Sequence, residues 1–371
     1  MAAITPIIMP KWGLSMKEGT VGGWLVDEGT QIIVGMPILD VETDKIANAV
    51  EAPDAGLLRR KVATEGEVLP VKALLGVLAN KDVSDADIDA YIAAFVTPSA
   101  DADDDAQAGP AYQYADVDGL RIRYARRGAT AGTPVLFIHG FGGDLDNWLF
   151  NIDALGEKHP VIALDLPGHG QSAVRLPGTS LQALADFMGR FMAVLDVPQA
   201  HLVGHSVGGA IAAQMALSQP LRVASLSLID SAGFGQNINT GYTEGFTHAA
   251  SRRELKPVLE LLFKDPALVS RQMVDDVLKY KRLDGVTELL AALSDGLFKD
   301  GQQVTQPGLT LAGTGKPVLM VWGKDDQIVP AAHAANAPPG ATVELFDGVG
   351  HMAQMERAGD VNRLILRHIG D

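Results

Sequence analysis

The stretch Leu202-Val203-Gly204-His205-Ser206-Val207-Gly208-Gly209-Ala210 decides the reading of the fold. A short apolar run, 201–203, ends at a serine with a glycine two residues to either side, and a helix-like segment, 209–217, follows. A serine on such a sharp strand-to-helix turn is presented for chemistry, and the tightness of the turn demands small neighbours. Outward from it, the apolar runs 120–124, 135–138, 161–164, 226–229, 318–321 and 343–346 suit buried parallel strands alternating with helices. An open α/β sheet places its site at the carboxyl ends of its strands. Three further turns stand at such ends: His139-Gly140-Phe141-Gly142, Asp165-Leu166-Pro167-Gly168 and Gly323-Lys324-Asp325-Asp326. Between about 234 and 304 the strand pattern lapses. There 255–263, 270–281 and 286–298 read as amphipathic helices, which predicts a helical cap.

A serine hydroxyl is a weak nucleophile and needs a base. His351, in Gly348-Val349-Gly350-His351-Met352, is the candidate, and a carboxylate must then hold its imidazole in the correct tautomer. Asp326 fits that role best; Asp325 is a competitor, and Asp230, at another strand end, a more distant one. From about 114 to the end the chain resembles the α/β-hydrolase superfamily, whose triads run in the order Ser, Asp, His. The backbone N–H groups of Val207 and Phe141 are the expected oxyanion hole. His205, His139, His169 and Asp165 are read as structural, and Trp148 and Phe150 as pocket lining or core in equal measure. The nine His are scattered without zinc-site spacing, so no metal is expected.

Upstream the chain reads all-β, with short Val, Ile and Leu runs punctuated by Gly19, Gly29, Gly35, Gly56, Gly66 and Gly76. It repeats itself: Glu28-Gly29 aligns with Glu65-Gly66, Ile32 with Leu69, Val34 with Val71, Ile38 with Leu75 and Val41 with Leu78. Two copies of one small unit can close into a flattened barrel that neither forms alone. Lys45 lies between the copies, in Glu42-Thr43-Asp44-Lys45-Ile46, at the turn after the strand 37–42. This hairpin, with Met9-Pro10-Lys11-Trp12-Gly13, resembles the lipoyl domains of 2-oxo acid and acetoin dehydrogenase complexes. Biotin carriers share that fold but usually flank the lysine with Met. The resemblance implies lipoate in amide linkage to Lys45, attached by a lipoate ligase or lipoyl transferase.

The expected division is a lipoyl domain over 1–81, an acidic linker over 82–113 and an α/β-hydrolase-like domain over 114–371. Residues 82–111 hold eight Asp and neither Lys nor Arg, so like charges and small side chains predict a mobile, extended tether with a short helix over 85–95. The net charge of −15 argues against a nucleic-acid surface. No cysteine is present, which excludes thiolate chemistry. Neither a secretory leader nor an apolar run of membrane-spanning length is visible, and a cytoplasmic, non-membrane protein is expected.

The fusion of the two halves resembles the acyltransferase components of acetoin dehydrogenase complexes. That resemblance implies a thiamine diphosphate-dependent partner that cleaves acetoin and acetylates the arm, transfer of the acetyl group to coenzyme A, and reoxidation by a flavin-dependent dihydrolipoyl dehydrogenase. Thiamine diphosphate and FAD then belong to partner subunits, and a homo-oligomer is expected. The His-x-x-x-Asp-Gly motif of the pyruvate-type acyltransferases is missing, so their mechanism does not carry over. The alternative is a serine hydrolase, acting on a thioester, an ester or a carbon–carbon bond, with an attached carrier domain. A third reading makes the second half a scaffold with its triad unused.

Overall fold

The computed structural model describes residues 4–12, 16–43, 47–98 and 112–370, and the chain forms two compact units, 1–111 and 112–371. The first unit holds β1 (Ile4–Ile8), β2 (Glu18–Trp24), β3 (Gln31–Ile32), β4 (Pro37–Glu42), β5 (Ala47–Glu51), β6 (Gly56–Lys61), β7 (Val68–Pro70) and β8 (Leu74–Ala79). The internal repeat is visible as structure, since β2, β3 and β4 recur as β6, β7 and β8. Two four-stranded sheets result, ordered β1-β8-β6-β3 and β5-β4-β2-β7. Each takes two strands from either copy, so the two are related as mirror lists: β1 by β5, β8 by β4, β6 by β2 and β3 by β7. Ile7, Met9, Val21, Ile32, Ile38, Leu39, Val41, Leu58 and Leu75 fill one core between them. Strands β4 and β5 pair from Pro37–Glu51 to Glu42–Ala47, which leaves a tip of four residues. Lys45, with Asp44 and Ile46, falls outside the described residues.

Beyond β8 the short helix expected over 85–95 within the 82–113 tether is present, and it packs on the barrel rather than standing free. Residues Asp85–Ala94 form α1, opened by Ser84, whose side chain accepts from the Asp87 N–H at 3.2 Å. Ile88 is fully buried and packs with Val83, Leu74, Val77 and Ala79, while Arg59 pairs with Asp85 at 2.9 Å and Arg60 with Asp89 at 3.5 Å. The cations that offset the acidic charge of this segment come from the barrel, on β6. Residues 99–111 lie outside the described residues.

The second unit begins with a hairpin of β9 (Gln113–Val117) and β10 (Leu120–Gly128), so the far end of the expected linker is strand. Then follow β11 (Val135–Ile138), α2 (Ile152–Gly156), β12 (Pro160–Leu164), α3 (Leu181–Val194), β13 (Ala200–His205), α4 (Val207–Ser218) and β14 (Val223–Ile229). The cap is α5 (Thr240–His248), α6 (Arg252–Glu260), α7 (Arg271–Lys281) and α8 (Val286–Leu297), closed by a small hairpin of β15 (Phe298–Lys299) and β16 (Gln302–Gln303). The chain ends with β17 (Val318–Gly323), β18 (Thr342–Phe346), α9 (Ala353–Glu356) and α10 (Ala358–Ile369). The eight-stranded sheet runs β18-β17-β14-β13-β11-β12-β10-β9, parallel from β18 to β12 and antiparallel at β10 and β9. Strands β11, β12 and β17 are buried at every residue, because helices cover both faces of a parallel sheet. The crossover from β11 to β12 on one side, and the return from β12 to β13 on the other side of β11, make the switch point where such folds keep their sites.

Candidate active site

Ser206 is the residue between β13 and α4, with φ 53° and ψ −119°, a left-handed backbone rarely held by a residue with a side chain. The strain is met by four backbone hydrogen bonds. The Ser206 N–H donates to the Ile229 carbonyl at 3.0 Å, and its carbonyl accepts from the N–H groups of Gly209 and Ala232 at 3.0 Å each and of Ala210 at 3.3 Å. The flanking glycines are steric necessities: a Cβ on Gly208 would run into the Ile138 carbonyl oxygen, and one on Gly204 would lie 2.5 Å from the Gly208 carbonyl oxygen. Val207 opens α4, and the first N–H groups of a helix have no partner inside it.

His351 lies on the loop between β18 and α9 and is 1% exposed. Its Nδ1 is 2.8 Å from Asp326 Oδ2. The same carboxylate accepts from Trp322 Nε1 at 3.1 Å and, through Oδ1, from the N–H groups of Ile328 and Val329 at 2.7 and 3.0 Å. A carboxylate held by three other donors is fixed as an acceptor for Nδ1–H, leaving Nε2 as the basic nitrogen. Asp325, the sequence competitor, points elsewhere: it pairs with Lys264 at 2.8 Å, and that lysine holds its carboxyl below the usual carboxylate range.

Asp230 sits at the end of β14 and is fully buried. It makes no bond to His351. Instead Oδ1 accepts from the Gly323 N–H at 2.8 Å and Oδ2 from the Ala353 N–H at 3.1 Å, tying the end of β17 to the chain just past His351. Burial, with Asp326 adding its charge, pushes the Asp230 carboxyl well above its ordinary range. Glu356 holds the same loop from the other side, accepting from the Gly350 N–H at 2.8 Å and the Lys264 N–H at 2.9 Å. The His351 N–H donates to the Leu262 carbonyl of the cap at 2.8 Å. Sequence reasoning did not find Glu356 and gave Asp230 another role. Neither belongs to a motif, and apart from Gly350 their partners are remote in the chain.

The loop 139–143, expected to supply one oxyanion donor, is oriented by its neighbours. His139 Nε2 accepts from the Leu166 N–H at 2.9 Å, so its proton is on Nδ1, which donates to the Gly140 carbonyl at 2.8 Å. The Gly143 N–H donates to that carbonyl too, at 3.1 Å. In a planar trans peptide the N–H points opposite to the C=O, so fixing the Gly140 carbonyl fixes the direction of the Phe141 N–H. Tyr242 of the cap donates its hydroxyl to the Phe141 carbonyl at 3.2 Å, and sequence reasoning missed it as well.

The remaining candidates are structural in this geometry. His205 Nε2 donates to the His351 carbonyl at 2.7 Å, and burial drives the ring well below its ordinary pKa. Asp165 binds Arg123 at 2.6 Å and caps the Leu145 and Gln171 N–H groups. His169 is buried and held to about pKa 4 by desolvation. Trp148 stacks on Phe137 in the core, 4.7 Å between centroids.

Ser206 and His351 open onto one cleft of about 570 Å³, solvent at its mouth included. Its walls are the loop 140–143 and, from the cap, Tyr242, Phe246, Leu259, Phe263, Met273 and Val277. No Lys, Arg, Asp or Glu lines it. Such a space accepts an acyl group on an uncharged chain and repels water.

A lipoyl-type carrier domain followed by a serine-bearing α/β-hydrolase domain is the class that this fold and site define. The family model described as alpha/beta hydrolase fold matches residues 133–358, and that described as biotin-requiring enzyme matches residues 5–78. The dihydrolipoyllysine-residue acetyltransferase component of the acetoin cleaving system of Cupriavidus necator is 66% identical over 367 residues, covering 99% of this chain and 98% of that one. Its counterpart from Pseudomonas putida is 48% identical over the same coverage. The chain belongs to this family of acetoin-system acetyltransferase components. Among solved structures, a meta-cleavage product hydrolase from Pseudomonas fluorescens overlays with a TM-score of 0.63 at 24% identity, covering 69% of this chain and 96% of that one, a likeness of fold.

Proposed function

We propose that this chain is the acetyltransferase component of an acetoin cleaving system, passing an acetyl group from a lipoyl arm on Lys45 to coenzyme A by way of Ser206. The observation that carries the reading is the pairing of end-to-end likeness to two such components with a His351–Asp326 couple facing the same apolar cleft as Ser206. When attached, the lipoyl group supplies a thiol that bears acetyl as a thioester. Ser206 Oγ attacks the thioester carbonyl while His351 Nε2 takes the hydroxyl proton, and Asp326 stabilises the imidazolium. The N–H groups of Phe141 and Val207 receive the developing oxyanion. His351 then returns its proton to the departing sulfur, leaving acetyl on Ser206. In the second half His351 takes the proton of the coenzyme A thiol as its sulfur attacks, and the Ser206 oxygen leaves reprotonated.

The partners in this reading are a thiamine diphosphate-dependent acetoin-cleaving component, a dihydrolipoyl dehydrogenase and a lipoate-attaching enzyme, with several copies of this chain in a cytoplasmic assembly. No helix among the described residues is long and apolar enough to cross a membrane. The test is acetyl-CoA formation by the reconstituted complex. Ser206→Ala should lower it roughly a thousandfold or more, and undiminished output would defeat transfer through the serine. Intact mass should show one lipoyl group, mapped to Lys45 and lost in Lys45→Arg.

A further inference from the structure

Cap helices α6 and α7 carry two different surfaces. Leu259 of α6 and Met273 and Val277 of α7 face the apolar cleft. The other end of the same helix pair, where the start of α6 meets the second half of α7, encloses a separate depression of about 900 Å³, open solvent included. Its walls carry Arg252, Arg253, Lys279 and Arg282 against a single carboxylate, Asp275. This is a concentration of positive charge on a chain whose net charge is −15.

Two of the four cations are already engaged. Arg252 forks onto Asp275, with Nη2 to Oδ2 at 2.6 Å, and Lys279 pairs with Asp276 at 2.7 Å. The first pair ties α6 to α7, and the second lies within α7. Arg253 and Arg282 are exposed, and neither side chain forms a hydrogen bond or ion pair among the described residues. Free guanidinium forks beside a braced cationic wall match phosphate oxygens bidentately.

The spacing connects this wall to the acyl site. At 1.5 Å of rise per residue, Val277 and Arg282 are about 7.5 Å apart along α7, and Arg253 and Leu259 about 9 Å along α6. Coenzyme A has the matching layout: a diphosphate and a 3′-phosphate at one end, an uncharged pantetheine arm, and a thiol at the other. The apolar cleft offers no cation for phosphates, so a phosphorylated acceptor must hold them outside it. We propose that the depression lined by Arg253 and Arg282 binds the phosphates of coenzyme A, with the pantetheine arm running past α6 and α7 to Ser206.

This site rests on the acetyltransferase reading for its ligand, and its test is separable from that reading. The double variant Arg253→Gln/Arg282→Gln is assayed in the reconstituted complex with coenzyme A, 3′-dephospho-coenzyme A and pantetheine as acceptors. Coenzyme A binding to the full chain is measured alongside by titration calorimetry. Loss of two charge-assisted contacts should raise KM and Kd for coenzyme A roughly ten- to a hundredfold with kcat nearly unchanged. Pantetheine should respond to neither substitution, and the dephospho compound separates the 3′-phosphate from the diphosphate. Arg253→Lys/Arg282→Lys, which keeps the charge, should fall between. An unchanged Kd for coenzyme A, or equal losses for coenzyme A and pantetheine, would overturn the site even if Ser206 proves essential. Should Ser206 prove dispensable, the calorimetric Kd still decides the site.

Discussion

The hydroxyl of Tyr242 on α5 donates to the carbonyl of Phe141 at 3.2 Å, joining the cap to the loop expected to supply one oxyanion donor. The bond makes the hole sensitive to a residue that touches no reacting atom. Tyr242→Phe removes the oxygen and keeps the ring, which packs 5.8 Å from Phe246. Losing one buried hydrogen bond of about 1–1.5 kcal/mol should lower kcat roughly tenfold while the melting temperature moves little. A change confined to KM would place Tyr242 in acceptor binding instead.

Asp325 and Asp326 are adjacent in sequence, yet their side chains do different work. Asp326→Asn should reduce turnover by about four orders of magnitude, since the amide favours the wrong imidazole tautomer. Asp325→Asn weakens a partly exposed pair with Lys264 while its amide oxygen can still accept from the Gly348 N–H, and turnover should stay within about threefold. The comparison is made on acetyl-CoA formation and on labelling of Ser206 by a fluorophosphonate. The reverse order would exchange their roles.

Lys281 gives the cap a pH signature. Its ammonium is buried against the last carbonyls of α5, those of Phe246 and Thr247, and desolvation lowers its pKa to about 8 from 10.5. Below pH 8 both folded and unfolded chains are protonated, and the burial penalty is present in full. Between about 8 and 10.5 the folded chain has released the proton and the unfolded chain has not, so stability rises with pH across that window. Melting temperatures of wild type and Lys281→Met should therefore converge or cross between pH 7 and 10. Parallel curves would mean that the lysine titrates normally.

The buried position of Ile88 predicts that α1 belongs energetically to the barrel. Ile88→Ala should cost about 2–4 kcal/mol, and calorimetry of the full chain should show the transition of the first unit lowered while that of the second is unmoved. No shift in either would mean that α1 contributes nothing to the barrel.

The buried strands were legible because a strand covered on both faces is a continuous apolar run; Val135–Ile138 coincides with the reading residue for residue. Strand β9 was not, since Gln-Tyr-Ala-Asp-Val alternates at a sheet edge and follows an acidic segment. Helix α5 escaped because Thr-Gly-Tyr-Thr-Glu-Gly-Phe-Thr-His has poor helix propensity. Its cap at Asn239 and the buried Tyr242 and Phe246 sustain it. Ser206 and His351 stand in recognisable glycine contexts. Asp230 does not, because its two partners are 93 and 123 residues away and only the folded chain brings them together. Gly323 and Gly350 serve a close contact: a Cβ on Gly323 would strike the Gly350 carbonyl oxygen.

The exchange of strands between the two copies in the barrel has a consequence for the arm it is expected to bear. Neither copy owns a complete sheet, so there is no half-domain that could open while the other stays shut. Thermal fluctuation therefore has only two outcomes for this unit, intact or wholly lost, with fraying left to its ends. A hairpin between β4 and β5 mounted on such a body has a firm base. Each encounter with a modifying enzyme or a catalytic partner then meets the same shape, and the freedom an acyl carrier needs must come from the arm and the tether.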